Sequence, residues 1–540
     1  MTVRELTVLG ILGTAGVAEA GGLLLPGTGA ISTSRAGAAV ASADDGEALA
    51  LNPAGLAKAK GTTITATTAI IGYSMEFTRR GTYDAIAAED VPYEGQAYPT
   101  IKNDPDLPLG IGSYQPVPVI AIVSDLGGRI PNLHVAVGLF APNAYPFRDM
   151  TGDYQFNGDF NAPPPPTRYD VMKQEAAIIA PSLGVAYSVM PNLDVGARFS
   201  WGIANVKSTV AIWGSPGNFE EFVKGDSTIT VDASDNFVPI FGIGATYRPS
   251  PAIELGLNYS SQATVHAKGG ARAVKGPNVD LNGTPIVIGP APEDGCEAGI
   301  EAPGCAPRCA LGGTFEEQKA CLDFALPMSA TLGVRYKFLG ADGKMKGDVE
   351  LNLGWEHWAA ELVSSYQVVV DAFVYVDDVP ELDLKTNTIR HEFKDVYTFR
   401  AGGSYVLAAG DNDVIVRGGV GYDTQAAKPG WLRADIDGAA RFTIAAGAAY
   451  RMKRIQIDAG FGAILEGSPS NPGTCNPMPS MTQPRPGCAS DGSEQPVDRR
   501  KGPDPINPLN VPMSQLENPV NQGDFKSHYL MFMLGMSTWF

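Results

Sequence analysis

Four arginines sit on the polar faces of alternating segments: Arg198 in 192–213, Arg335 in 327–338, Arg417 in 413–422 and Arg441 in 440–451. A planar guanidinium can fork two hydrogen bonds onto a carboxylate, so each is a candidate for holding the acidic head of a ligand. Each can also pair with an acid on a neighbouring polar face, such as Glu254, Glu350 or Asp458, or with the N-terminal segment. Catalytic chemistry is poorly supplied. The five histidines (His134, His266, His357, His391 and His528) are scattered, without an H-E-x-x-H pair. No G-x-S-x-G elbow occurs. Glycines such as Gly419 and Gly421 fall inside strand-like runs, where they mark small inward positions. Asp411-Asn412-Asp413 reads as a solvated turn rather than a calcium loop. No catalytic residue, metal or cofactor is expected.

The six cysteines fall in two long connections. Cys296, Cys305, Cys309 and Cys321 lie in 266–326, and Cys475 and Cys488 lie in 467–525. None forms a Cys-x-x-Cys pair of the kind that holds zinc. Loop disulfides in an oxidising compartment are expected instead, the first four pairing among themselves and the last two with each other.

The elements that carry these residues alternate with period two. Leu193, Val195, Ala197, Phe199, Trp201 and Ile203 share one face, while Asp194, Gly196, Arg198, Ser200 and Gly202 share the other. Successive side chains of a strand point to opposite faces, so such runs have one apolar face and one small or polar face. Fourteen runs are expected, near 62–74, 116–124, 132–141, 174–189, 192–213, 237–248, 251–265, 327–338, 348–358, 390–406, 413–422, 440–451, 454–466 and 526–540. Short connections (190–191, 249–250, 452–453) alternate with long ones (75–115, 142–173, 214–236, 266–326, 359–389, 423–439, 467–525). An even strand number with short turns at one end and long loops at the other is the pattern of an outer-membrane barrel.

Nowhere past the leader is there an apolar run of 18 residues, so a membrane-crossing form of this chain must be a closed barrel, which alone satisfies every backbone group in lipid. Charge on the lipid face is costly, which turns the four arginines toward the lumen. Tyr and Trp near strand ends, Tyr73, Tyr187, Tyr247, Tyr259, Trp355, Tyr422, Tyr450 and Trp539, are expected to form the interfacial girdles.

Composition agrees with this reading. The chain has 540 residues, 63 of them glycine, with 44% hydrophobic and only 18% charged residues. Its formal charge of −18 excludes a nucleic-acid partner, which needs clustered Lys and Arg. Residues 1–20 read as a secretory signal: Arg4, an apolar run from Leu6 to Ala18, and the Ala18-Glu19-Ala20 cleavage site place the mature start at Gly21.

The order Arg35-Ala36-Gly37-Ala38-Ala39, Ala43-Asp44-Asp45 and Leu51-Asn52-Pro53-Ala54-Gly55-Leu56 resembles the plug of the outer-membrane long-chain fatty-acid and hydrophobic-compound transporter family (FadL-like, OmpP1/TodX-type). Strand-like runs at 181–187, 257–261, 355–358, 393–397 and 417–423 extend the resemblance over most of the mature chain.

The resemblance implies an all-β, fourteen-stranded antiparallel transmembrane barrel (60–540) with an N-terminal plug, or hatch (21–59), in the lumen. Asp44, Asp45, Asn52 and Pro53 are the implied gating residues. An inward kink of the third strand at Gly138, Pro142 and Asn143 is the implied lateral opening; Pro142 by itself removes a ladder donor. The expected function is passive uptake of long-chain fatty acids across the outer membrane of a Gram-negative cell by a monomer in contact with outer-membrane lipid and lipopolysaccharide. An aromatic-hydrocarbon channel of the same fold, an outer-membrane lipase and a structural or adhesive barrel are the alternatives. Apolar loop residues Ile286, Val287, Ile288, Phe373, Val374 and Tyr375 are candidates for an external capture groove.

Overall fold

Side chains alternate along every long strand, but with the polarity of a water-soluble protein reversed. Leu183, Ile243, Leu351 and Leu534 are more than half exposed, whereas Glu350, Arg441 and Asp458 are almost completely buried. An apolar outer surface that encircles a charged interior is stable in lipid and not in water.

The computed structural model describes residues 23–59, 61–87, 89–107, 112–142, 144–152, 154, 160–213, 221–275, 286–289, 318–370, 373–376, 379–383, 387–428, 430–471 and 520–540. The expected leader, Asn143, Cys296, Cys305, Cys309, Cys475 and Cys488 lie outside the described residues.

Fourteen strands form the wall. They are β1 (Thr62–Arg79), β2 (Tyr114–Ser124), β3 (Leu133–Phe140), β4 (Lys173–Met190), β5 (Leu193–Ile212) and β6 (Ser227–Ser250). Next come β7 (Ile253–Ser260, continued by Ala263–Lys275), β8 (Gln318–Leu326, continued by Ser329–Leu339) and β9 (Met345–Glu356). The last five are β10 (Val396–Ala409), β11 (Asn412–Asp423), β12 (Arg441–Arg451), β13 (Ile455–Leu465) and β14 (Gly523–Trp539). Each is antiparallel to the next. The circle closes where β1 pairs with β14, from Thr63↔Trp539 to Arg79↔Gly523. No described helix is long and apolar enough to cross a membrane.

The expected strand count and the short-turn, long-loop asymmetry agree with this wall, but several strands run further outward than expected. Residues 227–236 were assigned to a loop and form the outer half of β6. Residues 266–275 and 318–326, assigned to the cysteine loop, complete β7 and begin β8. These outer halves rise above the apolar belt. Their outward positions are Thr230, Asp232, Ser234, His266 and Lys268, so the apolar signal fades although the ladder continues. The strand expected from 390 starts at Val396.

Of the expected girdle residues, Tyr187, Tyr247, Tyr259 and Tyr450 face outward. Tyr73 does not: it is buried inside, against Tyr145 and Tyr529, with its hydroxyl donating to Asp437 Oδ2 at 2.6 Å. Cys321 is disulfide-bonded, and its partner lies outside the described residues. The groove candidates 286–289 and 373–376 are brought together by backbone pairing in a separate three-stranded sheet.

Candidate functional site

Residues 23–59 are enclosed by the inner faces of the wall. Small wall residues make room for them. At Gly244 an added Cβ would fall 2.0 Å from Asn52 Oδ1, and at Gly419 it would fall 2.2 Å from the Arg35 carbonyl. The segment contains α1 (Gly29–Thr33), α2 (Ala48–Leu51) and a 3₁₀ turn, Pro53–Lys58.

Asn52 is fully buried and ties three pieces together. Its Oδ1 accepts from Ala54 N at 3.1 Å, capping the turn, while Nδ2 donates to Val40 O at 2.8 Å and to Ala245 O of β6 at 3.2 Å. Pro53 begins the turn, where its missing N–H costs nothing. Asp45 accepts from Glu47 N at 3.0 Å, and Asp44 is exposed.

Three further residues anchor the segment; the sequence names Arg35 only within the plug-like pattern and Glu350 only as a partner for an inward arginine, and Glu47 is new. Glu47 accepts from Ile31 N and Ser32 N, both at 2.9 Å, and so holds the start of α1. Arg35 makes a bidentate pair with Asp348 of β9, at 3.1 and 2.8 Å, and its Nε donates to Ala38 O at 2.8 Å. Glu350 accepts from Ala41 N at 2.8 Å.

All four candidate arginines are buried and inward, as lipid demands. Three bind acids. Arg335 pairs with Glu254 (2.7 Å) and Asp348 (2.9 Å), Arg417 with Asp458 (2.6 Å) and Arg441 with Glu466 (2.8 Å). Arg198 differs. It donates to Leu49 O (3.1 Å), Ala50 O (2.8 Å) and Ser260 Oγ (3.1 Å), has no carboxylate partner among the described residues, and its buried Nε has no partner. The guanidinium lies over the Phe140 ring at 5.0 Å.

Two cavities lie inside the barrel. The deeper one touches the N-terminal segment at Leu51, and Arg198, Phe140, Pro142, Ile240 and Trp355 also line it. The other is walled by the outer halves of β4–β8 and by the loops, with an apolar lining that includes Val206, Ile229, Val231, Phe324, Trp358, Leu362 and Val368. Leu326 lines both, so the two cavities adjoin.

Beside the deeper cavity the wall ladder is interrupted. β3 stops at Phe140, opposite Val119 and Ala180. Beyond it, Gln115–Pro118 pair with β1 alone and 175–179 pair with β5 alone; only Arg148 and Asp149 rejoin β4, at Gln174 and Lys173. Pro142 follows the end of β3 at this gap, whereas Gly138 is still paired on both sides, with Ala121 and Ser182, and packs on Leu49 of the N-terminal segment.

A buried polar cluster sits at the loop side of the outer cavity. Arg433 forms ion pairs with Asp170 and with Asp435 (3.3 Å) and donates to Arg390 O at 3.1 Å. Asp435 Oδ2 accepts from Tyr366 Oη at 2.8 Å and lies 2.8 Å from His391 Nε2. Burial alone would raise the Asp435 carboxyl; the His391 ring and the Arg433 guanidinium outweigh it and hold it below the ordinary carboxylate range. Asp170 is raised by burial and by Asp435, against the pull of Arg433. The other histidines serve elsewhere: His134 bonds to the Ala59 carbonyl (3.0 Å), His266 to Asp323 (2.7 Å) and His357 to Asp395 (2.9 Å).

A family model described as outer membrane protein transport protein (OMPP1/FadL/TodX) matches residues 11–470. No curated protein matches the chain significantly. Among solved structures, a FadL homologue of Pseudomonas aeruginosa shares 14% identity, with a TM-score of 0.64, and the match covers 96% of this chain and 100% of that one. The toluene transporter TodX of P. putida (13% identity, TM-score 0.58) and the toluene transporter TbuX of Ralstonia pickettii (13%, 0.56) each match over 96% of this chain and 99% of theirs.

Proposed function

Because the chain belongs to the OMPP1/FadL/TodX family of outer-membrane transporters of hydrophobic compounds, we propose that it carries long-chain fatty acids by passive diffusion, through the outer cavity and then the deeper one. The family is one of Gram-negative outer-membrane barrels and transports rather than catalyses. The observation that carries the proposal is the apolar outer cavity adjoining, at Leu326, a deeper cavity that holds an arginine, Arg198, without an acid partner among the described residues. The outer cavity takes the hydrocarbon chain out of water; about 0.8 kcal/mol per buried methylene favours its transfer there. Arg198 then meets the carboxylate. Residues 21–59 act as the plug, with Asn52 and Pro53 fixing its fold against the wall. The interrupted ladder beside Pro142 supplies the side exit into the membrane.

A channel for aromatic hydrocarbons is the second reading. It is favoured by the apolar outer cavity, whose charged lining residues Asp170 and Arg433 are already paired with each other and leave no free cation for a carboxylate among the described lining residues.

Uptake of radiolabelled oleate and of toluene by cells producing the protein separates these readings. Faster oleate uptake that falls in Arg198→Met, with toluene unaffected, is the expected result. Faster toluene uptake alone supports the second reading. No gain with either ligand sinks both and leaves a structural or adhesive barrel.

A further inference from the structure

The outer cavity has polar groups of two kinds. The charged pair at its loop side is closed on itself. Arg433 has Asp170 and Asp435 around it, and Asp435 takes the Tyr366 hydroxyl and faces His391. Arg433 is therefore already matched by acids and offers an entering anion no unpaired cation. The second kind is uncharged. Gln174 on β4 and Ser208 on β5 stand directly opposite each other in the ladder. Both point into the cavity, and neither side chain has a hydrogen-bond partner among the described residues. Around them the lining is Ala176, Val206, Val210, Ile229 and Val231. An amide and a hydroxyl side by side in an apolar chamber supply both donors and acceptors but no charge.

We propose that Gln174 and Ser208 form a head-group subsite in the outer cavity, which takes a hydrocarbon chain bearing one uncharged hydrogen-bonding group, a hydroxyl or a protonated carboxyl, and refuses the carboxylate anion. The inference rests on the reading that this cavity holds the passing ligand. Under it a fatty acid occupies the outer cavity as the neutral acid and meets a cation only deeper, at Arg198. An anion in the outer cavity would lose its water to a site with no free cation among the described lining residues.

Trp358 lines the same cavity and reports on it. Bromine quenches indole fluorescence on contact, so quenching that is lost in Trp358→Phe isolates binding here from partition onto lipid-facing tryptophans. The probes are 11-bromo-1-undecanol, 11-bromoundecanoate and 1-bromoundecane, titrated against the detergent-purified full chain. At pH 8 the alcohol should bind at least tenfold tighter than the carboxylate. At pH about 5, where a carboxyl group is partly protonated, that gap should narrow. Gln174→Leu should weaken the alcohol about threefold to tenfold, the effect of one net hydrogen bond, and leave 1-bromoundecane unchanged. Ser208→Ala, a smaller change, should act in the same direction if the first variant does not assemble. Carboxylate binding at pH 8 as tight as that of the alcohol overturns the inference while keeping the cavity as a ligand site. Absence of Trp358-dependent quenching by all three probes overturns the reading on which it rests.

Discussion

Replacing Arg35 with methionine should loosen the N-terminal segment without dismantling the wall. Arg35 is 3% exposed and makes two nearly parallel bonds to Asp348, with a weaker contact to Glu350 at 3.4 Å. Breaking a buried pair from one side typically costs 3–5 kcal/mol, because a charge is left uncompensated. Here the lower end applies. Asp348 keeps Arg335 at 2.9 Å and the Ser404 hydroxyl, and Glu350 keeps the Ala41 amide at 2.8 Å. A loss of about 3 kcal/mol raises the population of the displaced segment by roughly two orders of magnitude. The assay is conductance in planar bilayers, where displacement of the segment opens a water path that passes small ions. Arg35→Met should show bursts of conductance about 100-fold more frequent than the parent, while heat-modifiable mobility on gels stays normal. If the single variant assembles and conducts no more often than the parent, the Arg35–Asp348 pair does not hold the segment in place and the closure argument fails.

Three further outcomes are expected. Leu326→Trp, placed where the two cavities adjoin, should cut oleate uptake at least tenfold while Trp358-reported binding in the outer cavity persists; unchanged uptake would mean that ligand does not pass this point. A Leu49→Cys, Gly184→Cys crosslink joins the N-terminal segment to β4, where a side chain at 184 already meets Leu49, and should lower uptake without harming assembly; normal transport in the oxidised form would show that this segment does not move. Burial raises the Glu89 carboxyl to about 7, against the backbone N–H of Lys224, which favours its ionised form. The folded loop therefore binds this proton more tightly than the unfolded chain does. Its stability should fall as pH rises from about 4.5 to 7 and then level off, and amide exchange near 91–98 should be slower at pH 5 than at pH 8 after correction for intrinsic rates; the reverse order would refute this.

Much of the wall was legible because lipid imposes a strict code. In 193–203 every second residue is apolar, and the structure turns those side chains outward and Arg198 inward. The code ends where lipid ends. The outer half of β6 presents Thr230, Asp232 and Ser234 outward, so it reads as a loop by its side chains although its backbone is fully paired. Tyr73 shares the inward face of β1 with Thr63, Thr65 and Thr67, and the contacts that hold it there, with Tyr145, Tyr529 and the Asp437 carboxylate, come from distant parts of the chain. Arg35 lay within the sequence pattern that suggested a plug, but its partner Asp348 is 313 residues distant and sits on a strand whose inward face also carries Glu350. Local periodicity carries no record of such pairings. The outer cavity was beyond reach as well, since Trp358, Leu362 and Arg433 come from long connections and Tyr366 from a short strand, Ser365–Val370, that the sequence reads as part of the 359–389 loop.

The way charge is distributed links the closure of the lumen to the path of a hydrophobic ligand. Ionised groups inside a barrel are tolerated when they pair, and the deep lumen pairs them densely: Arg35 and Arg335 with Asp348, Arg335 and Lys337 with Glu254, Arg417 with Asp458. Of these, the Arg35 pair fastens the N-terminal segment to β9, and the others join wall strands to one another beneath it. On the opposite side, against β2–β5, Leu49 and Leu56 pack with Ala121, Ala136 and Ala186, and the polar contacts are single hydrogen bonds from His134 and Arg198 to backbone carbonyls rather than ion pairs. Apolar contacts are non-directional and can be replaced by those of a ligand chain at little cost, whereas a bidentate ion pair cannot. The ladder gap beside Pro142 and Arg198, which has no acid partner among the described residues, both lie on that side. On the proposed route, the bidentate pair at Asp348 holds the segment to β9, and the apolar contacts of Leu49 and Leu56 are the ones a ligand chain would replace.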